Sequence, residues 1–261
     1  MVVVTAPQFI TSRDNPQLRA LRKLAGDNTG YRKSGQVWVE GEHLCSAAVL
    51  RGVRPAIAVV AQSQWLDGKS PWAGQAPVTW VLPDALFKSI SALDSPCAVG
   101  FVLNLPEPRA LDVAAASVVL DRVQDAGNVG SILRSAAAFG FKQVIALRET
   151  AALWSPKVLR AGMGAHFGLA LFEAVDVQAL DSLEVPLVVT SSHEGARIQH
   201  ARLPFPCAWV LGHEGQGVSP SLLARAALQV RIGQPGGEES LNVAAAAAIC
   251  LHASAAAPTQ G

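Results

Sequence analysis

The chain reads as an α/β protein. A mostly parallel sheet covered by helices on both faces follows a smaller α/β unit. Three observations predict this. Short apolar runs alternate with helical stretches through the second half, and near-continuous apolar strands belong to parallel sheets buried on both sides. A segment with two prolines and alternating charge, LPEPRALD at Leu105–Asp112, separates that half from the front. Two glycine-rich turns, LGHEGQGVS (Leu211–Ser219) and IGQPGGEESLN (Ile232–Asn242), each follow a short apolar run. The boundaries are residues 1–103, a linker at 104–113, and 114–261.

In the first unit, Phe9–Asn15 is a lead-in. Asn15-Pro16 opens a helix, since Pro costs nothing at an early helical position. Leu18, Leu21 and Leu24 share one of its faces. Val37–Glu40 is a strand broken by Gly41, and Glu42–Leu50 a helix. Ala56–Ala61, Val78–Leu82 and Ala98–Leu103 are further strands. Gln62–Pro77 is a polar loop, and Pro83–Ile90 a short helix.

The second unit opens with strand Ser117–Leu120. DAGNVGSILRSAAAFGF (Asp125–Phe141) is a turn and a helix, with Asn128 as its cap and Gly140 as its stop. Val144–Leu147, Leu187–Ser191, Trp209–Leu211 and Gln229–Ile232 are strands. Pro156–Gly162, Val177–Leu183 and Pro220–Ala227 are helices. An alanine-rich helix starts at Ser240.

Composition narrows the classes. Half of the 261 residues are apolar and 16% are charged, which excludes a disordered chain. The net charge of +1 hides an asymmetry: residues 1–54 carry eight Lys/Arg against four Asp/Glu. A basic front end suits a polyanion. Cys45, Cys97, Cys207 and Cys250 form no CxxC pair, so neither a zinc ribbon nor a redox motif is expected. No apolar run reaches membrane-spanning length, and Met1–Ala6 is too short for a signal peptide. The expectation is a cytoplasmic protein that uses no membrane and no metal.

Two glycine turns at the carboxyl ends of neighbouring strands would make a pocket lined by main-chain groups. Glu214, Ser240 and Asn242 lie in or beside them. Arg134, six residues after Asn128, sits among small apolar side chains and needs a partner if buried. The plainer reading is a capping Asn, a surface Arg, a solvated Glu and a capping Ser. GxSxG, HExxH, the P-loop and G-x-G-x-x-G are all absent.

NVGSILRSA (Asn128–Ala136), LGHEGQGVS and the ESLN that closes the second turn resemble, in order and spacing, the three motifs of the SpoU/TrmH RNA ribose 2′-O-methyltransferases of the SPOUT superfamily. SRDNPQLRALRKL, YRKSGQVWVEGEHL and FKSISALDSP resemble the substrate-binding domain of many members. The resemblance implies an α/β sheet with a carboxyl-terminal trefoil knot. It implies S-adenosylmethionine bound by Gly212, Ile232 and Leu241, with Thr190, Ser191, Ser192 and Leu211 nearby, and a homodimer with its site at the interface. It puts Asn128, Arg134, Glu214, Ser240 and Asn242 on functional positions. The reaction implied is methylation of a ribose 2′-hydroxyl, in ribosomal rather than transfer RNA. Arg134 would stabilise the developing alkoxide, and a phosphate, a water or Glu214 would take the proton. Arg19, Arg22, Lys23, Arg32 and Lys33 would grip RNA. The chain departs from the family at Gly233, where Pro is common, at Gln234, and at Glu238, where an apolar residue is usual. The alternative is a non-catalytic RNA-binding protein that keeps the fold.

Overall fold

A computed structural model describes residues 5–91, 97–191, 194–236 and 240–256. Ser192, His193, Glu238, Glu239 and the end of the FKSISALDSP stretch lie outside the described residues. The chain divides into two compact units. One runs to Pro108 and takes in Trp154–Phe167; the other holds Arg109–Leu153 and the chain from Gly168 on.

The first unit contains β1 (Gln8–Phe9), α1 (Pro16–Gly26), α2 (Tyr31–Ser34), β2 (Gln36–Glu40), α3 (Glu42–Leu50), β3 (Ile57–Ala61), α4 (Gln62–Trp65), β4 (Val78–Leu82), α5 (Asp84–Lys88) and β5 (Val99–Asn104). Asn15 caps α1, its side chain accepting from the N–H groups of Gln17 and Leu18, with Pro16 in the first turn. Leu18, Leu21 and Ala25 are buried, and Leu24 is half-buried against the same core. The sheet order is β1-β4-β3-β5-β2. Its first three strands are parallel, whereas β5 runs antiparallel to both β3 and β2. The Trp38 ring lies across Gly100, where a Cβ would come within 2.1 Å of it. Two expectations change here. The lead-in pairs with β4 as a two-residue strand, and the loop after β3 contains α4 and a 3-10 turn at Leu66–Gly68.

The second unit contains β6 (Ser117–Asp121), α6 (Ala126–Ala138) and β7 (Gln143–Leu147). The next helix, α7 (Pro156–Gly162), lies in the segment that belongs to the first unit. Then follow β8 (Ala170–Val175), β9 (Leu187–Thr190), β10 (Ala196–Arg197), β11 (Ala208–Gly212), α8 (Pro220–Leu223), β12 (Leu228–Arg231) and α9 (Val243–Ala255). Strands β8 and β10 are additions to the sequence reading. Val177–Ser182 is 3-10 rather than α-helical, and α8 stops at Leu223.

The seven strands take the order β10-β12-β9-β11-β6-β7-β8, and every pairing is parallel. All carboxyl ends therefore share one edge. From β6 the chain proceeds outward through β7 and β8, then returns to build the other side. The order reverses between β6 and β11, and open α/β sheets bind ligands at such a reversal. Val119, Ile145, Leu187, Val189 and Val210 are buried in one core cluster. α6 and α9 pack against each other. α9 is anchored to β11 through Ser254, whose Oγ accepts from Trp209 Nε1 at 2.9 Å. The segment before β6 is held too: Gln143 Nε2 donates to the Asp112 carbonyl at 2.8 Å, and Gln143 Oε1 accepts from the Asp112 N–H at 3.1 Å. No helix among the described residues is long and apolar enough to cross a membrane.

Candidate active site

The reversal between β6 and β11 gathers three of the expected residues. Register sets Gly212, the last residue of β11, against Asp121, the last of β6. The turn after β11 closes on itself: His213 and Gly217 exchange N–H···O bonds at 3.1 and 2.8 Å. Only glycine fits at 212, because a Cβ would lie 2.2 Å from the Gly217 carbon and the Val218 nitrogen. His213 Nδ1 accepts from the N–H groups of Gly215 and Gln216 at 3.0 and 3.2 Å. Closure this tight projects Glu214 toward the start of α6.

There Glu214 Oε1 accepts from the Asp125 N–H and from Asn128 Nδ2, both at 3.1 Å, and Oε2 accepts from the Gln124 N–H at 3.3 Å. Burial pulls this carboxyl upward. Its own backbone N–H, the Asn128 amide and the N–H groups of Asp125 and Gln124 outweigh that pull, and hold it below the usual carboxylate range. Asn128 Oδ1 in turn accepts from Asn242 Nδ2 at 2.9 Å. Asn242 Oδ1 caps α9, accepting from the N–H groups of Ala244 and Ala245 at 2.9 and 3.2 Å. The polarity of this relay is fixed at both ends. The helix terminus only donates and the carboxylate only accepts, so each amide can face one way alone.

Two cap assignments change. Asn128 is not the cap of α6: Asp125 is, with its Oδ1 accepting from the Asn128 N–H at 2.8 Å. That frees the Asn128 side chain for the relay. Asn242, not Ser240, caps α9, and Ser240 is exposed ahead of the helix. The two glycine turns also do not follow neighbouring strands. β9 lies between β11 and β12, so its last residue, Thr190, sits between the two turns.

Thr190 is half-buried, with Oγ1 3.5 Å from the Val210 carbonyl oxygen. The Ser191 N–H donates to the Val230 carbonyl at 2.9 Å, and Ser191 Oγ accepts from the Glu194 N–H at 3.1 Å. Leu211 is buried, Ile232 half-buried just past β12, and Leu241 exposed. Nearby, Arg231 Nε and Gln234 Oε1 are buried and have no hydrogen-bond partner among the described residues. Such groups are costly to leave unpaired, and a donor and an acceptor bound to the second turn are groups a polar ligand can satisfy.

Arg134 is elsewhere on α6. It is exposed and has no hydrogen-bond partner among the described residues. With Ser131, Ser135, Ala138, Ala244 and Ala248 it lines an open groove of about 480 Å³ between α6 and α9. The burial that would have demanded a partner is absent. Of the basic residues in the first unit, Arg19, Lys23, Arg32 and Lys33 are exposed. Arg22 is half-buried, donating to Ser89 Oγ and to the Arg13 carbonyl at 3.0 Å. Sequence reasoning missed Asp121 and Arg122, which fasten the first turn; an Asp-Arg pair after an apolar strand carries no signal by itself.

The SpoU rRNA Methylase family model matches residues 115–252. The chain belongs to that family. It is 29% identical over 247 residues to RlmP of Bacillus subtilis (strain 168), a 23S rRNA (guanosine(2553)-2'-O)-methyltransferase, covering 93% of this chain and 97% of the relative. A TrmH-family protein from Porphyromonas gingivalis superposes with a TM-score of 0.80 at 30% identity, over 93% of this chain and 98% of that one. An AdoMet-bound rRNA methyltransferase from Sinorhizobium meliloti superposes with a TM-score of 0.81 at 25% identity, over 95% and 97%.

Proposed function

We propose that this chain methylates a ribose 2′-hydroxyl of RNA, ribosomal rather than transfer RNA, using S-adenosylmethionine. One observation carries the reading: Glu214, Asn128 and Asn242, one from each motif, are joined in a hydrogen-bonded relay at the reversal of the parallel sheet. With Arg134 and Ser240 also present, a non-catalytic protein is not favoured.

S-adenosylmethionine supplies a methyl group on a positively charged sulfur. The residues at the carboxyl edge fit such a ligand. Thr190, Ser191, Leu211, Gly212, Ile232 and Leu241 would hold it, and Arg231 Nε and Gln234 Oε1, which have no partner among the described residues, would meet its polar groups. Glu214 is a poor base. Its carboxylate already carries three hydrogen bonds and is held below its ordinary range. It acts as the fixed anion that orients Asn128. Asn128, Ser240 and Asn242 position ribose and cofactor. Arg134 stabilises the developing alkoxide and the neighbouring phosphate, since a guanidinium stays charged throughout. The proton leaves to a phosphate or a water.

Three further elements belong to this reading. Strands β9, β11 and β12 and their turns form a trefoil knot, supported by the strand order, in which β9 ends between two strands that follow it. The enzyme is a cytoplasmic homodimer without a metal. The groove between α6 and α9 is lined mostly by small residues, which suits a second copy and brings Arg134 to a shared interface. The first unit grips RNA through Arg19, Arg22, Lys23, Arg32 and Lys33, and Arg22 is held in place by Ser89. The test is transfer of labelled methyl to total RNA from a strain lacking this protein, with the product mapped for 2′-O-methyl. Label at one nucleotide establishes reaction and substrate; no label with cofactor bound at full affinity overturns the activity.

A further inference from the structure

Arg122 follows directly on β6 and has a φ of +60°, the left-handed region that side chains rarely adopt. Glycine would take this conformation without strain. Here the strained position carries a long cation whose side chain makes several bonds. Nε donates to Asp121 Oδ1 at 3.1 Å, Nη1 donates to Gln216 Oε1 at 2.7 Å, and Nη2 lies 3.5 Å from the Gly217 carbonyl oxygen. The other Asp121 oxygen, Oδ2, accepts from the Ser219 N–H at 2.7 Å. Asp121 is 4% exposed, so Arg122 also balances a buried carboxylate.

These bonds tie the turn after β11 to the end of β6 at Gln216, Gly217 and Ser219. Glu214 is on the same turn, two residues before the first tie. Its carboxylate must meet two backbone N–H groups and the Asn128 amide, all of which lie just downstream of Arg122. The left-handed kink sends the chain from β6 into that Gln124–Asp125 segment, and the side chain of the same residue fastens the turn that faces it. One residue thus sets both sides of the Glu214 contact. We infer that Arg122 is a positioning residue for methyl transfer, trading backbone strain for a locked turn that aims Glu214 and, through it, Asn128 and Asn242. Strain retained at a working site in this way has a cost that the surrounding contacts must cover. The chemical part of the inference rests on the methyltransferase reading; the latch itself does not.

The test compares Arg122→Gly, Arg122→Lys and Gln216→Ala with the unaltered full chain. Arg122→Gly removes the latch and relieves the φ, but it also leaves the buried Asp121 carboxylate without its cation, so its melting temperature should fall. Its single-turnover methyl transfer should fall about 10- to 100-fold, as small misplacements at a site do. Amide exchange at Gly217 and Ser219 should quicken by about tenfold, the change expected for one weakened anchor. Arg122→Lys, which keeps charge but not the fork, should fall between. Gln216→Ala cuts one tie from an exposed position and should lower kcat with little change in KM. Wild-type rate and exchange in Arg122→Gly overturn the inference. So does a drop in melting temperature that accounts for the whole fall in activity, since that marks a purely structural residue. If the unaltered protein transfers no methyl to any RNA, the reaction assignment fails, and the exchange measurement still decides the latch.

Discussion

The two glycine-rich turns of the second unit differ in how they are completed. The turn after β11 is tied by its own main chain at His213 and Gly217, by Asp121 and Arg122 beneath it, and by Glu214 reaching across to α6. In the turn after β12 the bonds among the described residues gather at Asn242, and Arg231 Nε and Gln234 Oε1 are buried with no partner among those residues. Protein interiors seldom leave such atoms unpaired. Among the described residues, the first turn is closed by its own bonds, and the second keeps a buried donor and a buried acceptor unpaired.

The largest expected effect tests the closed turn. Gly212→Ala forces a Cβ into the Gly217–Val218 backbone, and overpacking of this kind costs about 1–3 kcal/mol or more. Both cofactor binding and turnover should be abolished, with a lower melting temperature in a thermal scan. Retained cofactor affinity would show that the turn need not close. Next comes Arg134→Ala, which touches neither turn. Turnover should fall roughly a hundredfold or more while calorimetry finds S-adenosylmethionine affinity unchanged; weaker affinity would break the separation between turns and groove.

Asn242 sharpens the comparison because it serves both a helix and the relay. Asn242→Ala should cost about 1 kcal/mol through removal of the cap and also lower turnover. Asn242→Asp keeps the cap acceptor but removes the donor to Asn128, so stability should be retained while turnover drops. Equal stability losses would mean the relay, not the cap, holds α9. A smaller effect concerns pH. Because Glu214 is held below its unfolded value, its stabilisation is complete above about pH 4.3, the ordinary Glu value, and disappears as pH falls through the depressed folded value. The penalty of Glu214→Gln in denaturant titrations should therefore be constant at neutral pH and shrink in acid. Smallest is the first unit: replacing Arg19, Lys23 and Lys33 together by Ala should lower the salt dependence of RNA binding by roughly 0.7 for each phosphate the protein no longer neutralises, without moving cofactor affinity.

Much of the fold was legible because its signals are local. Glu42–Leu50, Val78–Leu82 and Pro156–Gly162 have the expected bounds, each delimited by Gly, Pro or a charged turn. Strands β1 and β10 are two residues long, too short for any periodicity. β8 escapes because Ala170–Val175 carries Glu173 and is only half-buried. At the site, residue types were readable and their pairings were not. Asp125 and Asn128 are both good caps, as are Ser240 and Asn242, and spacing cannot choose between them. Tertiary structure decides: Asn128 and Asn242 find each other across the helix starts. Arg122 was invisible because a positive φ is a property of the fold, and an arginine gives no hint of it.

The one-way relay has a consequence for how this chain can change. Asn128 is 86 residues from Glu214 and 114 from Asn242, yet none can reverse its direction alone. An Asp at 128 would set two carboxylates face to face, and a Gln at 214 keeps an acceptor for Asn128 only by turning its amide donor onto the Gln124 N–H. The three positions act as a single letter spelled in three places. A library that varies them one at a time should find only failures, and a working substitute, if there is one, will appear only when all three are varied together.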